Sequence, residues 1–558
     1  MVDCLFIGHN EMQFEEYEKT ARMSGTGSVA YRDLNLNYVW HDNRPFSAPD
    51  IFNLFQSDPC YASNSRYGTA DAFSAAIAYL GTYLHRRNFS FDYIISFQNE
   101  KEQLIEKLKK NNIMAVAITT TLYVSLFPIL EIVSFIKKYN NSVKIIIGGP
   151  FVSTNVRTQD ELTLEYIFNT INADFYINSS QGETALVNIL SAMKQSLPFM
   201  GIDNIIYKDG EGYTTTTQSK EDNLLEENMV DWNLFSDRLS GVLNIRTSVS
   251  CPFSCAFCGF PQHAGKYQTV SVEAVERELN AIKRLNKDVR LQFIDDTFNV
   301  PPERFKEILK MMIRNEYNFK WNSYYRCQYA DKETIKLMKD SGCEGVFLGI
   351  ESGSQKILNN MNKSTTVEKY EKGHYLLRES NIVTFASFIV GFPGETHATA
   401  EETLKFIERN RPTFYRAQVW YCEPITSIWN EREKYNIKGS QFEWSHNTMT
   451  SHVACDLVDN MLLSIKDSIW LPQYNFCFPS VSHMLQRGMN LEQVKQFVGA
   501  FSDGMKEKLS GPRDKNINTE LIEKMKKACT ISDRTKTALN SQGTENTLID
   551  KYSADFTF

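Results

Sequence analysis

A chain of 558 residues, 42% hydrophobic and 23% charged, is too long for one ordinary core and predicts a soluble globular molecule of two or three domains. A net charge of −7 speaks against a phosphate-backbone footprint spread over the surface, and no run of 18 apolar residues predicts a membrane span, so neither nucleic acid nor membrane is expected as a partner. The opening MVDCLFIGHNEM lacks the basic flank and small-residue cleavage site of a signal peptide, and eight of the eleven cysteines are scattered without a paired framework. The expected setting is a reducing cytoplasm.

Residues 1–217 alternate strand and helix. Cys4 to Ile7 is a short apolar strand, and residues 72–88 carry apolar groups at helical spacing. Strands are predicted at 91–97, 114–122, 143–150 and 173–180, with amphipathic helices between them. Buried strands alternating with helices predict a parallel, doubly wound sheet. DNIIYKDGEGYTTT predicts a hairpin that closes the domain, and the polar, acidic stretch 218–240, with a lone Trp232, reads as a linker. In such a sheet ligands sit beyond the carboxyl ends of the strands, at the topological switch point. Those ends are Thr119-Thr120-Thr121-Leu122, Gly148-Gly149-Pro150 and Gln181-Gly182-Glu183, where small hydroxyl residues and glycines let a flat, bulky ligand lie against backbone amides.

The second domain, 241–439, opens with CPFSCAFC. Cys251, Cys255 and Cys258 stand in the spacing C-x3-C-x2-C. Three thiolates on one short loop can hold three corners of a [4Fe–4S] cube and leave the fourth iron open for chemistry; three buried reduced thiols are the alternative. Strands at 291–298, 320–330, 345–354 and 383–396 alternate with helices, which predicts a closed or partly closed barrel with its site at the strand C-termini. Residues 440–558 read as a mainly helical region, with helix candidates in 442–465, LEQVKQFVGAFSDGMKEKLS and TELIEKMKKACTI before a polar tail. His446 and His452 lack a spaced ligand set and are expected as caps or core residues. The loop Trp420-Tyr421-Cys422-Glu423-Pro424 is open between cavity lining and core.

The cysteine spacing, with Phe257 directly before the last cysteine, resembles the signature of the radical S-adenosylmethionine (SAM) superfamily. That resemblance implies SAM chelated to the open iron and cleaved by one electron to methionine and a 5′-deoxyadenosyl radical. FIDDTF, GIESG and GFPGET, in that order within residues 245–396, look like stretches of the cobalamin-dependent class. The three strand ends before them resemble that class's cobalamin-binding domain. The implied fold is α/β: an N-terminal doubly wound, Rossmann-like cobalamin-binding domain, a linker, a radical SAM partial (β/α) barrel and a mainly helical C-terminal region.

Carried onto this chain, the resemblance gives SAM contacts at Phe257, Asp295, Asp296, Arg326, Gly349, Glu351 and Ser352. It gives cobalamin contacts at Thr120, Thr121, Leu122, Gly148, Gly149, Pro150, Gly182 and Glu183. Asp295 and Asp296 are placed to receive SAM's ammonium group, with a helix cap or solvated turn as the alternative. Arg326 would reach the carboxylate or ribose, with a surface ion pair as the alternative. Glu351, between Gly349 and Gly353, would meet ribose or amine. Classical methyl-transfer domains carry D-x-H-x-x-G, whose histidine coordinates cobalt. His9 and His41 lack the Asp and Gly at those offsets, so cobalamin is expected without that ligand; a domain that has lost the cofactor is the alternative.

The implied activity is a methyltransferase acting on a small-molecule or natural-product substrate. One SAM would methylate cob(I)alamin, and a second would yield the radical that activates the substrate for methylcobalamin. An electron donor such as flavodoxin or ferredoxin is implied as partner. VDCLFIGHNEMQFEEYEKTARMSG and AYRDLNLNYV also look like a narrower group, the one containing the radical SAM P-methylase of phosphinate natural-product biosynthesis. Competing readings are a cobalamin-dependent cyclase or rearrangement enzyme without methyl transfer, and a non-catalytic iron–sulfur or cobalamin-binding sensor. A methylthiotransferase is not expected, because no further N-terminal cysteines are grouped for a second cluster.

Overall fold

The computed structural model describes residues 2–530 apart from 24, 57–66, 69–71, 111, 124, 240 and 513. The polar tail 531–558 expected at the C-terminus lies outside the described residues.

Seven strands form the first sheet: β1 (Val2–His9), β2 (Phe91–Ser96), β3 (Ile113–Thr119), β4 (Lys144–Gly148), β5 (Phe175–Ile177), β6 (Ile205–Asp209) and β7 (Gly212–Thr215). Their order is β2-β1-β3-β4-β5-β6-β7. The first five are parallel, and β6 and β7 add an antiparallel hairpin, as the glycine turn predicts. Strand β1 is buried on both faces. Leu5 and Ile7 enter one apolar cluster, Cys4 and Phe6 the other, as the two-residue period of a central strand requires. The strand order reverses between β1 and β3, so the switch point lies between their ends at His9 and Thr119.

The expected linker is a packed strap. It forms two short 3-10 turns, Leu225–Asn228 and Trp232–Phe235. Trp232 is fully buried, and its indole N–H donates to Glu278 at 2.9 Å. The polar composition around this tryptophan concealed an aromatic anchor.

The second sheet holds β8 (Gly241–Ile245), β9 (Val289–Phe293), β10 (Lys320–Tyr324), β11 (Cys343–Glu351), β12 (Val383–Val390), β13 (Phe414–Val419) and β14 (Ile469–Trp470), all parallel and in that order. β8 and β14 do not pair with each other, so the barrel is partial. Strand β14 corrects the expected boundary at 439, because the barrel takes its last strand from the region read as helical. Part of that region is also a three-stranded antiparallel ladder, Lys438–Ser440, Glu443–His446 and Met449–Thr450. The helix Phe478–Gln486 packs against the strands, with Asn322 of β10 donating to Ser482 Oγ at 2.8 Å. A Cβ on Gly345 would lie 2.8 Å from the Phe478 ring, so β11 needs glycine there to admit this helix.

Part of the segment between β1 and β2 leaves the first sheet and packs against β13 and the C-terminal helices. It forms the helix Val29–Asn35, the hairpin Tyr38–His41 with Arg44–Ser47, and the helix Ala48–Phe55. Two buried cations grip it. Arg416 of β13 donates to the Leu36 carbonyl at 3.0 Å and to Asp33 at 3.3 Å, with its guanidinium over the Trp470 ring. Lys508, in the helix Leu491–Ser510, donates to the Asn35 and Tyr38 carbonyls, both at 2.6 Å, against the Tyr38 ring. A cation held out of water is costly unless such acceptors surround it, so these contacts fix one docking geometry.

Removing one partner leaves the others buried and unpaired, which typically costs about 3 kcal/mol or more. Arg416→Met is therefore expected to lower the thermal unfolding midpoint clearly. Arg411→Ala, whose ion pair with Asp467 is exposed on both sides, should leave it unchanged. Equal midpoints for the two variants in a calorimetric scan would refute the clasp.

Candidate functional site

The cysteine loop hangs from the end of β8. Ser248–Val249 pairs antiparallel with Gln268–Thr269 and pinches the loop at its base. Asp295, just past β9, accepts from the Thr247 N–H at 2.7 Å, the Thr247 hydroxyl at 2.5 Å and the Ser248 N–H at 2.7 Å. Arg304 donates to the carbonyls of Val270 and Thr247 at 2.9 and 3.0 Å. The far side of the loop is tied by Ala256 N–H to the Met361 carbonyl and by Ile428 N–H to the Ala256 carbonyl, at 2.8 and 3.1 Å. Elements around the strand C-termini of the partial barrel thus hold one loop.

All three thiols are half-buried and free of disulfides. Burial pushes the Cys258 thiol up to about 11 and raises Cys251 as well, so binding as thiolates requires proton release. Among the described residues no three His, Cys, Asp or Glu side chains converge on a single metal ion. A cube agrees with that spread, since each thiolate of a [4Fe–4S] cluster serves a different iron. Among the described residues the buried Ser250 Oγ has no partner, while the Thr297 side chain is within hydrogen-bonding reach of the Cys251 thiol.

The carboxylates separate into roles that the sequence did not distinguish. Asp295 is fully engaged as the loop's brace, and burial raises its pKa despite three donors. Asp296, next to it, is met by its own backbone N–H and, among the described residues, by no other side chain. Burial first, then Asp295, push it up to about 7, and its charge is felt at Cys251 and Cys258. Asp296 is thus the carboxylate left available beside the thiols.

Glu351 is paired with Lys363 at 2.9 Å, and both side chains are buried. Its backbone is in the left-handed region, φ 68°, where β11 and β12 shift register. Such strain in a non-glycine residue is held by its surroundings and clusters at functional sites. Gly349 is required here, because a Cβ would lie 2.6 Å from Glu351 Oε1. Ser352 is a different case. It is fully buried, its Oγ accepts from the Ser354 N–H at 3.1 Å and lies 3.2 Å from Thr403 Oγ1, so the fold consumes it. Arg326 is buried instead of sitting in a surface ion pair. It donates to the Lys363 carbonyl at 2.5 Å and stacks 3.6 Å over the Phe253 ring, while its Nε stays unpartnered. Phe257 lies edge-on to Phe392, with Lys363 Nζ 5.3 Å from its ring.

The first sheet presents a second cradle. Thr120 is buried, donates to the Gly148 carbonyl at 2.8 Å and accepts from the Phe151 N–H at 3.3 Å. Gly149 has φ 111°, and a Cβ there would lie 2.8 Å from Thr120 Oγ1, so only glycine fits the turn. Thr121, Leu122 and Pro150 are exposed beside it, and Gly182 turns at φ 84° into the helix Glu183–Gln195. Glu183 keeps a buried unpartnered oxygen, and burial raises its pKa. His9, at the end of β1, stacks on Tyr123 at 5.5 Å, and burial lowers it to about 4, so it is neutral.

The two cradles meet. The helix Phe260–Ala264 follows the third cysteine, and the helix Pro150–Thr158 follows Gly149. Ser153 Oγ lies 3.1 Å from His263 Nδ1, and Arg157 donates to the Gln262 carbonyl at 2.6 Å. Tyr79 donates to the Arg246 carbonyl at 3.3 Å from the same side. The strand ends of one domain therefore face the cysteine loop of the other. A cavity of about 1090 Å³ lies elsewhere, around Val289 and Lys320 at the amino ends of β9 and β10.

His446 is a core residue, as expected: it donates to the Gly391 carbonyl at 2.9 Å and stacks on Trp444, and His452 is exposed. The loop after β13 divides, with Trp420 fully buried against Phe392 and Tyr421 exposed. Sequence reasoning missed Lys363, His263 and Arg157. Each is an isolated basic residue in sequence, and only its spatial partner marks it. Glu395 also escaped notice. It accepts from the Gly391 N–H, and burial pushes it up to about 7, so it braces the turn that carries Phe392.

A family model described as the radical SAM superfamily matches residues 245–407, and one described as the B12 binding domain matches residues 68–168. An uncharacterized methyltransferase of Pyrococcus horikoshii is 26% identical over 57% of this chain and 68% of its own length. A bacteriochlorophyllide d C-12(1)-methyltransferase of Chlorobaculum tepidum is 30% identical, over 32% of this chain and 40% of its own length. An anaerobic magnesium-protoporphyrin IX monomethyl ester cyclase of Rubrivivax gelatinosus is 24% identical over 65% of this chain and 68% of its own length. Among solved structures, the radical SAM methyltransferase TsrM of Kitasatospora setae superposes with a TM-score of 0.53 at 18% identity, over 64% of this chain and 71% of its own. The cobalamin-dependent radical enzyme OxsB superposes at 0.52 and 17%, over 82% and 69%. At that identity the likeness is one of fold.

The brace and the free carboxylate are separable by experiment. Replacing Cys251, Cys255 and Cys258 together with Ala should abolish the iron content, about four per chain, expected after anaerobic reconstitution. Asp295→Asn should lower it in part by loosening the loop, whereas Asp296→Asn should leave it intact. Iron assay and cluster absorbance decide, and full occupancy in Asp295→Asn would remove the brace argument.

Proposed function

We propose, for a chain that belongs to the cobalamin-dependent radical SAM enzymes, that it is a methyltransferase acting on a small molecule held between its two cofactor cradles. The observation that carries this reading is the seam: the helix after Cys258 is bonded to the helix after Gly149, which would set the two cofactor sites side by side. When bound, the cluster with SAM supplies a 5′-deoxyadenosyl radical, and the corrinoid supplies the methyl group.

The chain's own residues bind and orient. Cys251, Cys255 and Cys258 would each hold one iron, and the loop offers no fourth thiol, which leaves a coordination position for SAM. Asp296 would receive the SAM ammonium group, and its proton would leave as the cation arrives. Lys363, fixed by Glu351 and by Arg326 at its own carbonyl, would hold the adjacent wall, with Gly349 leaving room for that pair. Thr120 and Gly149 set the turn on which Thr121, Leu122, Gly148, Pro150, Gly182 and Glu183 would meet the corrinoid. A small external reductant of the flavodoxin or ferredoxin kind would supply electrons. Among the described residues no helix is long and apolar enough to cross a membrane.

A second reading is a cyclase that uses the same cofactors without methyl transfer, since the Rubrivivax relative carries that name. Product analysis separates the two. A methyltransferase should release S-adenosylhomocysteine together with 5′-deoxyadenosine, and label from methyl-labelled SAM should appear at carbon, or at phosphorus if the P-methylase resemblance holds. Cleavage of SAM without S-adenosylhomocysteine would favour the cyclase.

SAM binding tests the site itself. Asp296→Asn removes a charge-assisted hydrogen bond worth roughly 1.5–3 kcal/mol, so SAM affinity should fall by about one to two powers of ten at unchanged iron and corrinoid content. Unchanged SAM affinity by calorimetry would place the ammonium elsewhere.

A further inference from the structure

The loop after β13 seats directly on the cysteine loop and carries a carboxylate that the fold does not use. Ile428 N–H binds the Ala256 carbonyl at 3.1 Å, which fixes this loop against the thiols. A Cβ on Gly259, the residue after Cys258, would lie 2.9 Å from Glu423 Oε2 and 2.8 Å from the Ile425 side chain. The Glu423 carboxylate therefore lies close to the backbone of Gly259, directly after Cys258. Among the described residues the Glu423 side chain has no hydrogen-bond or ion-pair partner, although the backbone carbonyl of the same residue is engaged by Thr426. Three other carboxylates around the loop are engaged, Asp295 by Thr247 and Ser248, Glu351 by Lys363 and Glu395 by Gly391, while Asp296 is assigned to SAM above.

The surroundings are aromatic and accessible. Phe260, one residue beyond Gly259, is 43% exposed, and Tyr421, two residues before Glu423, is 41% exposed with its ring edge-on to Phe442. Phe260 and Tyr421 thus offer accessible ring surface on the two loops that meet where Glu423 approaches Gly259. Burial raises the pKa of Glu423, and the same carboxylate helps raise Tyr421, which places the two groups within electrostatic reach. Phe260 also begins the short helix whose His263 meets Ser153, so this stretch leads directly to the seam between the domains.

We propose that Glu423, with Phe260 and Tyr421, forms a substrate subsite beside Cys258 that takes a protonated amine carried on an apolar body, a site that rests on the small-molecule reading above. The carboxylate pairs the ammonium, and the two rings cover its hydrocarbon and add cation–π attraction. A cation in that place would restore the ionised form that burial disfavours, and its apolar part would cover exposed ring surface. The substrate class follows from this: a primary or secondary amine whose nitrogen lies at one edge of the cleft, with the reacting atom further toward the seam.

The test needs no turnover, so its outcome is independent of methyl transfer. Cluster-reconstituted, SAM-loaded protein is titrated with 2-phenylethylamine and with 3-phenylpropionate, two probes of similar shape and opposite charge, by calorimetry. Deuterated amine is then added to the reduced cluster, and its deuterium coupling is sought by electron–nuclear double resonance. The amine should bind and the acid should not, with a deuterium coupling that places the probe near the cluster. E423Q should weaken the amine about ten-fold or more and abolish the coupling. E423D should retain part of both, and SAM affinity should be unchanged in either variant. Equal binding of amine and acid, amine affinity unaffected by E423Q, absence of the coupling, or loss of SAM affinity instead of amine affinity would each overturn the proposal.

Discussion

One buried carboxylate sets the position of everything reactive. Asp295 takes two backbone N–H groups and a hydroxyl from Thr247 and Ser248, where the cysteine loop leaves the barrel. An ionised carboxylate is costly to bury, and these donors recover much of that cost only when the loop base adopts one conformation. Three thiols that must serve three irons then have a fixed origin. Asp296 follows in the chain and is turned to the thiols because its neighbour is committed to the loop base. The pair DD thus divides its labour between a brace and an open acceptor, and burial sets that division.

The second constraint is the seam between the sheets. Open parallel sheets bind ligands beyond their strand carboxyl ends, and here those ends of the first sheet face the cysteine loop of the second. Hydrogen bonds between the helices at 150–158 and 260–264 then make the two ligand zones neighbours. Neither zone would serve group transfer alone. On the proposed reading a radical generated far from its acceptor would be lost to side reactions, so a seam that keeps the two zones adjacent would favour transfer.

The third is the clasp. Residues 14–55 depart from the first domain and lie against β13 and the C-terminal helices, gripped by Arg416 and Lys508. The first domain is therefore attached at two places, at the seam and through this segment. Two attachments restrict rotation of one domain on the other, where a single linker would allow it. The strap anchored by Trp232 acts in the same sense.

Much of this was legible in the sequence. Periodicity and turn residues gave the alternating strands of both sheets, because buried parallel strands read as apolar runs whatever surrounds them. The spacing of Cys251, Cys255 and Cys258 pointed to the radical SAM family, whose model matches residues 245–407, because a motif on one loop is local in sequence. The glycines at 149, 182 and 349 announced close approach, because a missing Cβ is a local fact. What the chain alone did not decide was every role that depends on a distant partner. Asp295 and Asp296 are identical in sequence terms and differ only in what folds against them. Ser352 looked like a ligand contact until Thr403 came within 3.2 Å, and Glu351 looked free until Lys363 arrived beside it. Strand β14, two residues long, is too short for any period to register, and its place in the barrel comes from pairing with β13. Composition and spacing fix which chemistry the chain can hold; desolvation and long-range hydrogen bonds, which exist only once the chain is packed, decide which side chains are left to perform it.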